Sequence, residues 1–259
     1  VRGSSATALL DAVDPAMMET LLGQLRKVER IDYIVAHHGE QDHSGAIPAV
    51  LARYPQARVL VTAQGRDLLV DHLHLSAAQC DVVADGETLS LGDKTLEFIH
   101  TPWVHWPETM VTYLREERLL FSCDFFGSHL ATTDLYVRDE AQVYEAAKRY
   151  FAEIMMPFRR VIQRNLQKVE ARPLALIAPS HGPIYPRPAF IVDAYREWCS
   201  DQVRNEVVVA YTSMHGSTAR MVTHLISALA ARGVTVRPFD LAVTDIGKLA
   251  IALVDAATL

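Results

Sequence analysis

The sequence predicts a mixed α/β (α+β) fold: an αββα sandwich followed by the start of a doubly wound sheet. Three observations predict it. Helix-like and strand-like segments alternate through residues 6–73. A β-rich middle follows, in which Asp85-Gly86, Gly92-Asp93 and Glu116-Glu117 read as turns between short β-runs. After a polar stretch at residues 201–205, a fresh strand, loop, helix and strand begin.

Taken in order, residues 6–13 read as a short strand and 15–28 as an amphipathic helix. Residues 31–36 form an apolar strand, 45–53 a helix, 58–62 a strand and 65–73 a helix. The β-runs at 95–99, 110–114 and 119–122 come next, then two helices at 139–154 and 159–171. A strand at 174–178 and a helix at 187–200 close this part. Beyond the boundary, 206–211 is a strand, 212–218 a loop, 219–232 a helix, 234–239 a strand and 245–255 a second helix. The chain divides into a sandwich domain at 1–200 and a doubly wound domain at 204–259. So short a second domain cannot close a doubly wound sheet, and Val1-Arg2-Gly3 reads as the end of a strand. The expectation is a piece that lacks part of both domains.

At 259 residues the chain can bury a substantial core. It is 50% hydrophobic and 22% charged, ordinary for a globular protein in water. The net charge of −6 disfavours a nucleic-acid partner. No apolar run is long enough for a membrane span, and no secretory pattern is visible. Cys80, Cys123 and Cys199 are odd in number and far apart, so they suggest no disulfide framework and no thiolate zinc site. They fit a reducing, cytoplasmic setting.

Chemistry concentrates at His38-Gly39-Glu40-Gln41-Asp42-His43, a loop directly after the strand at 31–36. Imidazole and carboxylate together suit borderline first-row metals. Adjacent Asp42 and His43 cannot easily serve the same ion as His38 and Glu40, so the pattern points to two metals. His105, Asp124 and His181 each follow a strand, and one carboxylate can bridge two cations through its two oxygens. The expected sets are His38, Glu40, His105 and Asp124 on one metal, with Asp42, His43, Asp124 and His181 on the other. His37 and His100 read as structural or supporting. His72, His74 and His224 read as surface or packing residues, and Tyr150 as core, with a position close to the substrate pocket as its alternative.

This pattern, with His105-Trp106-Pro107, Asp124-Phe125-Phe126-Gly127 and Ser180-His181-Gly182-Pro183, resembles the metallo-β-lactamase superfamily. Hydrolases of that superfamily usually carry histidine where this chain has Glu40. The substitution makes the chain similar to the flavodiiron proteins, in which a lactamase-like diiron domain precedes a flavodoxin-like domain. A hard carboxylate in place of imidazole stabilises ferric iron and favours redox cycling.

The segment Tyr211-Thr212-Ser213-Met214-His215-Gly216-Ser217-Thr218 extends the resemblance. Hydroxyls and backbone N–H groups at a helix start can hold a phosphate dianion. Residues 212–218 are therefore expected to bind the phosphate of FMN, although the chain ends before the loops that would hold the flavin ring. The resemblance implies two Fe ions and FMN, a head-to-tail homodimer, and electrons from a rubredoxin-like or other small donor. It implies reduction of dioxygen to water or nitric oxide to nitrous oxide. The alternative is a dinuclear zinc hydrolase.

Overall fold

The computed structural model describes residues 1–259. Two sheets face each other with helices outside each. The first is fully parallel, in the order β1 (Ala8–Leu10), β2 (Tyr33–Val35), β3 (Arg58–Val61), β4 (Cys80–Val82). The second runs β5 (Thr88–Ser90), β6 (Thr95–His100), β7 (Met110–Leu114), β8 (Leu119–Cys123), β9 (Leu176–Pro179). Its neighbours are antiparallel except β8 and β9, which are parallel.

The layers follow from the two-residue period of a strand. Ile34, Val59 and Val61 face outward, against Leu21 of α1 (Met18–Gln24), past α2 (Gln41–Ser44), Ile47 and Val50 of α3 (Ile47–Arg53), and Leu69 of α4 (Ala63–Leu73). Their neighbours Val35 and Leu60 face inward and meet Leu96, Phe98, Met110 and Leu114 of the second sheet. On that sheet's outer side, Ile99, Val111, Tyr113, Leu120 and Ile177 join Ala147 of α5 (Glu140–Tyr150), Leu166 of α6 (Arg159–Glu170) and Tyr195 of α7 (Pro188–Cys199).

A third sheet is parallel, in the order β11-β10-β12, from β10 (Arg204–Tyr211), β11 (Thr235–Asp240) and β12 (Ala256–Thr258). With α8 (Ser217–Ala230) and α9 (Ile246–Asp255), its first strand lies in the middle, as at the start of a doubly wound sheet. Helix α9 packs on α5. Val254 enters the core there, and Lys148 Nζ donates to both oxygens of Asp255 at 2.8 Å.

Several elements differ from the sequence expectation. The strand at 6–13 shrinks to β1 because Asp11 takes φ of 55° and leaves the sheet. The helix expected at 45–53 is α3, which begins at Ile47 with Pro48 at its second position, where a missing N–H costs nothing, and the short α2 precedes it. The helix at 139–154 ends at Tyr150 and continues as a π-helical turn over Phe151–Met155. Strands β4 and β5, three residues each, carry too little pattern to be read from sequence.

Candidate metal centre

The C-terminal ends of β2, β8 and β9 share one edge of the sandwich. His38 follows β2, Asp124 follows β8 directly and His181 lies just past β9. The loop between β6 and β7 adds His105. The two sheets are tied at this edge, where the Met110 N–H donates to the His37 carbonyl at 3.1 Å. Glu40 has φ −64° and ψ 150°, and the chain then turns into α2. Thus Glu40 lies on extended backbone, while Asp42 and His43 project from a helical turn rather than from the expected loop. Ser44 Oγ holds the turn, 2.9 Å from the carbonyls of Gly39 and Glu40. Cys123 adopts φ of 51°, outside the usual range of L residues, as the chain leaves β8. Gly182 has φ of 91°, and a Cβ there would meet Ser128 Oγ at 2.2 Å, so only glycine fits beside His181.

The structure brings all seven predicted residues together in two groups around Asp124. In the first, Glu40 Oε2 lies 3.1 Å from His38 Nε2 and 3.4 Å from His105 Nε2. Asp124 Oδ2 is 3.5 Å from His38 Nε2 and 3.3 Å from His105 Nε2. In the second, Asp42 Oδ2 is 3.5 Å from His43 Nε2 and 3.3 Å from His181 Nε2. Asp124 Oδ1 is 3.0 Å from His43 Nε2 and 3.2 Å from His181 Nε2. For metal–ligand bonds of about 2.1 Å, neighbouring donors stand about 3.0 Å apart in an octahedron and about 3.4 Å in a tetrahedron. The observed spacings lie at those edge lengths. Asp42 Oδ1, His43 Nε2 and Asp124 Oδ1 are also buried without a hydrogen-bond partner. Buried polar atoms left unpaired cost about 1–3 kcal/mol each. Two cations, one on each oxygen of Asp124, fit this donor set.

Electrostatics agree. Burial would raise the Asp124 carboxyl, but His105, His181 and His43 hold it well below its ordinary value. Burial would lower His43, yet Cys123, Asp11 and Asp124 push it up. Hydrogen bonds to Asp124 and Asp42 push His181 up to about 9. Without an ion His43 and His181 therefore carry protons at neutral pH, and a metal must displace them. Metal addition to ion-free protein at pH 7 is expected to release protons, and affinity should fall about tenfold per proton displaced for each pH unit lost. Calorimetric titrations at pH 6 and pH 8 check this; equal affinities would contradict it. The ion-free fold responds oppositely. Stabilisation from protonated His181 is full below its unfolded value near 6.5 and fades as pH rises through about 9.

Supporting residues escaped the sequence reading. Glu108 Oε1 accepts from the Gly39 N–H at 2.9 Å and lies 2.7 Å from His38 Nδ1. Asp11 Oδ1 accepts from the His37 N–H at 2.8 Å, and Oδ2 lies 2.9 Å from His37 Nδ1. Both carboxylates follow apolar or aromatic residues at turns, a weak signal beside the histidine cluster. Tyr150 is core, as expected, but it also borders the site: its ring centre lies 6.1 Å from that of His181. Burial and then Asp124 raise its hydroxyl well above the ordinary value, so it stays a neutral donor. His37 is buried, its Nε2 2.7 Å from Thr112 Oγ1.

The hydroxyl-rich loop lies on the third sheet, after β10. Thr212, Met214, His215, Gly216, Ser217 and Thr218 are exposed, with Ser217 and Thr218 already in the first turn of α8. Ser213 Oγ accepts from the Ala219 N–H at 3.1 Å. Gly216 has φ of 81° at the helix entry, which glycine adopts without strain.

Residues 2–182 match the model of a family described as ODP family beta lactamase. A nitric oxide reductase of Moorella thermoacetica is 37% identical across 96% of this chain and 65% of its own length. Rubredoxin oxygen:oxidoreductase from Desulfovibrio gigas superposes with a TM-score of 0.90 and 29% identity, over 96% of this chain and 65% of that one. The flavodiiron protein from Giardia intestinalis superposes with a TM-score of 0.88 and 27% identity, over 96% and 63%. The chain thus spans just under two thirds of these relatives, none of which is named as a hydrolase. It belongs to the ODP beta-lactamase family and, with these relatives, to the flavodiiron proteins.

Proposed function

We propose that this chain is the diiron-binding part, with the start of the flavin-binding part, of an oxidoreductase that reduces dioxygen to water or nitric oxide to nitrous oxide. The observation that carries the reading is the pair of donor sets sharing Asp124, each with one further carboxylate and two imidazoles at 3.0–3.5 Å. On this reading residues 1–200 form the diiron domain, and residues 204–259 belong to a flavodoxin-like domain whose loop at 212–218 holds the FMN phosphate. Two ferrous ions would supply the reducing electrons and an open coordination position. His38, Glu40 and His105 would hold one ion, Asp42, His43 and His181 the other, and Asp124 would fix their separation. Three carboxylates offset most of the charge of two divalent cations. Tyr150 is placed to hold a proton at its hydroxyl beside Asp124. FMN would receive electrons from a rubredoxin-like or other small donor. A head-to-tail homodimer would bring one subunit's flavin to the other's irons. The buried free cysteines suit a reducing, cytoplasmic location; no helix is long and apolar enough to cross a membrane.

Glu40, in place of the hydrolases' imidazole, weighs against the zinc hydrolase. The test is elemental analysis of anaerobically purified protein, followed by gas uptake with reduced flavin. About two irons per chain and consumption of dioxygen or nitric oxide are expected. Two zincs, retained when iron is supplied, would overturn the assignment.

A further inference from the structure

The two donor sets match in composition but not in what stands behind their buried imidazoles. His38 Nδ1 faces Glu108 Oε1 at 2.7 Å, and both side chains are almost fully buried. That is a charge-assisted distance, and it fixes the tautomer and ring angle that aim Nε2 at the site. His43 Nδ1 instead faces Cys123 Sγ and Asp11 Oδ2, each at 3.6 Å. Sulfur is a weak acceptor at that distance, and 3.6 Å to oxygen is too long for a hydrogen bond. Asp11 is not free to move closer, because His37 engages both its oxygens at 2.8 and 2.9 Å.

We infer that the two half-sites bind ions unequally: the His38, Glu40, His105 set fills first and the His43, Asp42, His181 set second, with the more labile ion. Glu108 acts as the positioning residue that makes the difference. The inference rests on the two-metal reading of the site. Outer carboxylates of this kind typically tune metal affinity about 10- to 100-fold.

Titration of ion-free protein with Co2+, followed by its visible absorption, tests this without any turnover. Two phases are expected, the first at least about tenfold tighter. His181→Ala should keep the tight phase, and His105→Ala should lose it. Glu108→Gln should weaken the tight phase about 10- to 100-fold and shift its absorption bands, with the second phase unchanged. The His105 and His181 side chains are partly exposed, so that pair decides the question even if Glu108→Gln folds poorly. Two Co2+ ions binding intact protein with one constant would overturn the inference and leave the two-metal reading standing. So would loss of the tight phase in His181→Ala with retention in His105→Ala. No binding of Co2+ by the intact chain would overturn both.

Discussion

Replacing Asp124 with alanine is expected to take the chain from about two ions to nearly none, the largest single-residue effect on the site. Its two oxygens face opposite imidazole pairs, Oδ1 toward His43 and His181 and Oδ2 toward His38 and His105. Either half-site alone would keep three ligands, but four buried or part-buried imidazoles would lose their shared counter-charge. Asp124→Asn sharpens the test. The amide keeps the shape and one carbonyl oxygen, so at most one ion should survive. The protonation of His181 reports the same change in ion-free protein. Its value near 9 depends first on Asp124, so in Asp124→Ala it should fall toward 6.5. Elemental analysis and histidine NMR titration measure both effects. Retention of two ions by Asp124→Ala would refute the bridging role.

The second large effect lies away from the site. Lys148→Met is expected to cost about 3–5 kcal/mol, because it strands the Asp255 carboxylate at a nearly dry contact between α5 and α9. Arg204, 3.4 Å from the same carboxylate, should hold the loss near the lower end. Lys148→Met combined with Asp255→Leu should recover most of it, since an apolar pair of similar volume is often neutral or better. Denaturant midpoints and amide exchange in α9 provide the measurement. A single variant as stable as the parent, or a double variant no better than the single, would remove this pair from the account of how α9 is held.

The two outcomes depend on different kinds of information in the sequence. The sandwich was legible because helix-like and strand-like segments alternate ahead of a β-rich middle; that the apolar runs Ile34-Val35 and Val59-Leu60-Val61 divide between two cores shows only in the fold. The site was legible because its residues follow strands, where parallel neighbours end together. Glu108 and Asp11 were not legible, since a lone carboxylate after Pro107 or Leu10 has many ordinary explanations. Their meaning depends on distances to His38 and His37 that only the folded sheets create. The α5 to α9 ion pair was hidden for the same reason, as its partners lie far apart in sequence. The turn of the chain at Glu40 needed three dimensions too: the adjacency of Asp42 and His43 pointed to two ions, but not to a helix that begins between the ligands.

The hydrogen bond from Met110 to the His37 carbonyl marks the seam where the two sheets meet. The proposed ligands straddle it, with His38 and Glu40 from the parallel sheet and Asp124 and His181 from the other. An ion bound there would act as a cross-link between distant parts of the chain. It would close long loops, as a disulfide does, but reversibly and under control of metal supply. Loss of the metal would then loosen this edge of the fold.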